Sequence, residues 1–129
     1  MKKIISFLLT TFFLLFLAFV FPQSAYAAKF NLDPLSKNIN IGDQFDVSIK
    51  LDTQNKEVEA VQAELSFNKD LIEITAVSFS GIFAANHQNI NNSSGVVQVG
   101  STTESADVGF NGNTNWVTLT IKGKTEGST

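Results

Sequence analysis

Few residues in this 129-residue chain could do chemistry, and they are scattered. There is one histidine, His87, and no cysteine. A thiolate zinc site, a catalytic Cys and a lipid-modified Cys are therefore excluded, and a multi-histidine metal site is excluded with them. His87 sits in an Asn-rich stretch with no nucleophile motif near it, which reads as a surface histidine. The nearest acid pairs are Glu57/Glu59 and Asp43/Asp46. A glycosidase needs two carboxylates held about 5–10 Å apart across a cleft. Sequence neighbours on a strand or turn supply no cleft, so these read as solvated acids. Asn111, Asn113 and Asn115 have the i, i+2, i+4 spacing that opens a calcium loop. The sixth place holds Trp116 instead of Gly and the twelfth holds Lys122 instead of Glu, which excludes an EF-hand-type site. No Gly-rich phosphate loop and no G-x-S-x-G elbow occurs. The expectation is a protein that is not an enzyme and holds no cofactor or metal.

Two features could bind instead of react. Trp116 is the only Trp, and Tyr26 the only Tyr. By alternation Trp116 opposes Val117, Leu119 and Ile121, so it is expected on the outer face, where it could stack on a sugar ring. A sugar platform usually has several coplanar aromatics, and the other reading is a Trp that covers an edge or strand end. Asn91-Asn92-Ser93-Ser94 holds two overlapping N-x-S sequons.

Charge divides the chain in two. Lys2 and Lys3 precede an apolar run from Ile4 to Phe21, broken by Pro22-Gln23-Ser24. Ala25-Tyr26-Ala27 then places small residues before Ala28. This is a three-part signal peptide over residues 1–27, with cleavage between Ala27 and Ala28. The apolar run approaches the ~20 residues that span a bilayer, so an uncleaved anchor is the other reading and the only membrane contact expected. Residues 28–129 carry seven Lys, no Arg and twelve acids, a net −5. Nucleic-acid binding draws on clustered Lys and Arg, so this body excludes it. The protein is expected to be secreted, or attached to the cell surface through sequence beyond Thr129.

The exported part must position whatever it binds with strands. Phe45, Val47, Ile49 and Leu51 alternate with Asp46, Ser48, Lys50 and Asp52, the pattern of a half-buried antiparallel strand. Glu59 to Phe67 alternates again, with Val61, Ala63, Leu65 and Phe67 inward and Gln62, Glu64 and Ser66 outward. Leu71 to Phe79 reads as a strand with Ile72, Ile74 and Ala76 set against Glu73, Thr75 and Val77. Val96 to Ser101 places Val97 and Val99 inward and Gln98 outward. Trp116 to Lys122 is the last clear strand. Phe30 to Asp33 is a short first strand ended by Pro34. Gly81–Ser94 and Glu104–Asn115 read as irregular loops. No helical period appears after residue 28, so the fold class is an all-β sandwich.

The order of these pieces resembles the bacterial and archaeal cohesin domain family. Leu32-x-Pro34, then Ile41-Gly42-Asp43-x-Phe45-x-Val47-x-Ile49-x-Leu51-Asp52-Thr53, looks like its opening. Val58-x-Ala60-Val61-Gln62-Ala63-x-Leu65-Ser66-Phe67-Asn68-x-Asp70-Leu71-x-Glu73-Ile74 resembles the next two strands and their turn. Gly95-x-Val97-x-Val99-Gly100, Gly109-Phe110-x-Gly112 and Val117 to Lys124 resemble later ones. Asn68-Lys69 departs from the family's Asp-Pro, and the family continues past the place of Thr129. The resemblance implies a jelly-roll sandwich whose last strands are missing, leaving an open sheet edge and uncovered apolar surface. It also implies a dockerin-type protein partner, in polysaccharide catabolism or cell-surface assembly. The partner would lie on a flat sheet face, mapped here to Gln62, Glu64, Ser66 and Gln98, with Asn89 from the stretch Asn86 to Asn92. A carbohydrate-binding module of the same fold, taking a polysaccharide, is the alternative; a structural spacer in a larger surface protein is the second.

Overall fold

The computed structural model describes residues 28–104 and 108–128. The expected signal segment and Ala27 lie outside these residues, whereas Ala28 packs half-buried against the core. Every regular element among the described residues is a strand: β1 (Lys29–Asp33), β2 (Asn38–Ile39), β3 (Gln44–Asp52), β4 (Ala60–Ser66), β5 (Ile72–Phe79), β6 (Ala85–Asn91), β7 (Val96–Thr102), β8 (Asn113–Gly123) and β9 (Gly127–Ser128).

The strands form a β-sandwich. One sheet has the order β1-β3-β8-β5, the other β4-β7-β6, and β2 and β9 make a small third pairing. All pairings are antiparallel. Alternation explains the layering. Phe45, Val47, Ile49 and Leu51 of β3, with Val117, Leu119 and Ile121 of β8 and Ile72 and Ile74 of β5, form one inner face. Val61 of β4 and Val97 and Val99 of β7 form the opposing one. Ile39 and Phe83 close the core from outside the two main sheets. Each side chain of this size contributes about 1.5–3 kcal/mol when fully buried.

Two bulges break the simple alternation. Ile49 pairs with Val117 and Lys50 with Asn115, so Trp116 is an extra residue on β8. Trp116 is consequently 1% exposed, beside an equally buried Val117. The outer-face position expected for it is wrong, because a bulge reverses parity along the strand. On β5, Ile74 pairs with Ile121 and Ala76 with Thr120, leaving Thr75 extra. Ala76 is therefore exposed and Val77 packs against the core, the reverse of the sequence expectation.

Two expected loops are partly strand. Residues 85–91 form β6, and β8 begins at Asn113, ahead of the expected Trp116. Gly95 makes the β6–β7 hairpin, with a φ of +72°. Its Cα is so close to the Phe67 carbonyl oxygen that a Cβ there would collide with it. Asn68 closes the β4–β5 turn by accepting a hydrogen bond from the Asp70 N–H at 3.0 Å.

An apolar groove lies on the described part of the sandwich. It runs between the β1 and β4 sides of the sandwich, with a volume of about 420 Å³. Leu32, Leu35, Leu65, Phe67 and Leu71 are among its walls, and Leu35 is 85% exposed.

Candidate functional site

The outer face of the β4-β7-β6 sheet collects the polar residues that alternation turns away from the core. Antiparallel register arranges them in layers across three strands. Glu64, Gln98 and Asn89 form one layer, because Glu64 pairs with Gln98 and Asn89 pairs with Gln98. Gln62, Gly100 and His87 form the next, and Ala60, Thr102 and Ala85 the one beyond. Ser66, Val96 and Asn91 close the other end. All five residues expected on a partner face, Gln62, Glu64, Ser66, Gln98 and Asn89, lie on this surface.

The central layer is hydrogen-bonded. The Gln98 side-chain amide donates to the Glu64 carboxylate at 2.7 Å, and the Asn89 amide donates to Gln98 Oε1 at 3.4 Å. The shorter bond ends on a charged acceptor and is the stronger of the two. It restrains the rotamers of Glu64 and Gln98.

Next to this layer the face sinks. Gly100 has no side chain on the middle strand, and Ala60 and Ala85 are small. The result is a depression of about 410 Å³, with Gln62, His87 and Thr102 also on its lining. A Cβ on Gly100 would find only the Val61 carbonyl oxygen at 3.6 Å and Gln62 Cγ at 4.0 Å. The Gly is thus not demanded by backbone crowding; its effect is to leave the space open. Sequence reasoning missed Gly100, Ala60, Ala85, Thr102 and the placement of His87 here. A Gly inside a strand, which often marks a close approach by another backbone or ligand, was the available signal.

Below this face lies a polar connection through the core. The Trp116 indole N–H donates to Ser101 Oγ at 2.8 Å, and Ser101 donates to Asn86 Oδ1 at 2.6 Å. Trp116 also packs on Phe30 with ring centroids 5.4 Å apart. Sugar stacking on Trp116 is therefore excluded: its ring has no free face in solvent.

The remaining candidates are structural. Asn111 accepts a hydrogen bond from buried Thr53 at 3.1 Å, while Asn113 and Asn115 lie exposed on β8, so the three amides do not converge. Asn92 brackets β5, donating to the Ile74 carbonyl and accepting from the Ile74 N–H, each at 2.9 Å. Asp46 accepts from Thr120 at 2.9 Å. Asp43 accepts from the Asn40 side-chain amide at 2.8 Å and from its backbone N–H at 3.0 Å. These bonds, the side-chain one first, hold the Asp43 carboxyl below its ordinary range. Among the described residues no three His, Asp or Glu side chains group to hold a metal ion.

Among the described residues the surface is thus a largely uncharged sheet face with one hydrogen-bonded carboxylate and one open depression. No family model, no curated protein and no solved structure matches the chain.

Proposed function

We propose that this chain is a non-catalytic, exported binding module of the cohesin type, with a jelly-roll sandwich that holds a protein partner on the outer face of β4-β7-β6. The observation that carries the reading is the pairing of the Glu64–Gln98–Asn89 layer with the Gly100 depression on one sheet face. A partner of the dockerin type would hydrogen-bond to the ordered amides and carboxylate and seat a small side chain over Gly100. Such an interface mixes a small apolar centre with polar surroundings. Two strands of this face, β4 and β7, carry residue runs that resemble cohesins, and the implied setting is polysaccharide breakdown or assembly at a cell surface.

The polysaccharide-binding alternative loses its one aromatic candidate, because Trp116 is enclosed. The test is isothermal titration of the protein with dockerin modules and, separately, with soluble polysaccharides. Dockerin binding that Gly100→Arg abolishes, with no heat from the sugars, supports the proposal. Sugar binding by the parent protein overturns it.

A further inference from the structure

Among the described residues the sandwich has four outer strands, and three of them are guarded against pairing with another chain. β1 carries Lys29 and Asp33, the latter in an ion pair with Lys50, and is followed by Pro34. β5 carries Glu73 and the Thr75 bulge, and the Asn92 side chain occupies both the N–H and the C=O of Ile74. β4 carries Glu64 and is preceded by Glu57 and Glu59. Charge, proline, bulges and side-chain plugs are the usual means of blunting an edge.

β6 has none of these. Its sequence, Ala85-Asn86-His87-Gln88-Asn89-Ile90-Asn91, contains no Lys, Arg, Asp, Glu or Pro. It pairs with β7 on one side without a register shift, and six of its seven residues are exposed. The body around it is acidic, so two copies repel over most of their surface and least along β6. We infer that β6 is a self-association edge: two copies pair their β6 strands antiparallel about a twofold axis at Gln88.

The geometry is self-consistent. An antiparallel edge contact is isologous and closes at two subunits. Centred on Gln88, it sets His87 opposite the second copy's Asn89 and Asn86 opposite its Ile90, and no charged residue meets its like. The two sheets become one six-stranded sheet, β4-β7-β6 continued into its twofold mate. Both Gly100 depressions then open on the same side, so a dimer offers two neighbouring sites. This inference stands on the strand alone and does not depend on what the face binds.

Sedimentation equilibrium of the purified protein tests it, together with Gln88→Lys and Asn38→Lys. Gln88→Lys places like charges directly opposite each other at the axis, which destabilises a cross-strand pair. Asn38→Lys adds the same charge at the exposed residue of β2, away from this edge. The parent is expected to form a concentration-dependent dimer, and Gln88→Lys to raise its dissociation constant at least 10-fold. Asn38→Lys is expected to leave that constant within about twofold. Circular dichroism melts of both variants check that the fold is intact. A second variant, Gln88→Cys, introduces the sole thiol of the chain. Opposed Cβ atoms across a strand pair lie about 4.5–5.5 Å apart, close to disulfide reach, so air oxidation is expected to give a covalent dimer. A parent protein that stays monomeric up to about 1 mM, or a dimer that Gln88→Lys leaves unchanged, overturns the inference.

Discussion

The indole nitrogen of Trp116 lies 2.8 Å from Ser101 Oγ, and this one hydrogen bond joins the two sheets of the sandwich. Trp116 belongs to β8 of the four-stranded sheet and Ser101 to β7 of the three-stranded one. Ser101 passes the connection to Asn86 on β6, so the chain of bonds ends at the edge of the candidate face. The residue first suited to touching a sugar is instead the bracket beneath the candidate face.

Truncating that bracket should damage the fold before any ligand is considered. Trp116→Ala is expected to cost about 3–5 kcal/mol, as for other large core deletions. Trp116→Phe keeps most of the packing and removes one hydrogen bond, a cost of about 1 kcal/mol or somewhat more. Urea denaturation of both variants measures the difference.

Because Trp116 is the only Trp, its fluorescence reports on burial directly. Emission in the native state is expected to be blue-shifted, and acrylamide to quench it poorly until the protein unfolds. Adding soluble polysaccharide should leave the spectrum unchanged. Strong quenching of the native protein would contradict the enclosed position.

The alternating strands were legible in the sequence; the departures from alternation were not. Phe45 to Leu51 and Val61 to Phe67 have one buried face each, and a period of two follows from the pleat. Trp116 and Thr75 defeat that reading because a bulge is a backbone event with no required residue type. β6 is hidden for another reason. Only Ile90 of its seven residues is strongly apolar, since the strand lies at an edge where little of it needs to enter the core. Of the candidate site, Gln62, Glu64, Ser66 and Gln98 follow from outward parity. Asn89 rested on its place in an Asn-rich stretch, and Gly100 emerges only when three strands are laid side by side.

The turn between β2 and β3 should respond to acid. Asp43 accepts two hydrogen bonds from Asn40, and its carboxyl titrates below the ordinary range. A carboxyl whose pKa is lowered on folding stabilises the native state above its unfolded value of about 3.9, and the contribution is lost as pH falls through the folded value. Asp43→Asn is expected to make the loss of Tm below about pH 4 shallower. Equal slopes for parent and variant, in thermal melts from neutral to acid pH, would show that the Asn40 bonds do not favour the charged form.

The ordered amides of the face should matter to binding and not to stability. Glu64→Ala removes the carboxylate that holds Gln98, and Gln98→Ala removes the link between Glu64 and Asn89. Each is expected to weaken partner binding about 10-fold, or roughly 1.4 kcal/mol. Their melting temperatures should stay close to the parent's, because these side chains are on the outer surface. A double-mutant cycle should show less than additive loss, since the two residues share one hydrogen bond.

The most direct test of the central claim is a calorimetric titration of the Gly100→Arg variant beside the parent protein, using a dockerin module that the parent binds. The Gly100 position has room for a side chain without moving the backbone, so the fold should persist while the depression fills. The account predicts that binding is lost while the melt is unchanged. A variant that folds and binds as tightly as the parent would contradict the assignment of this face.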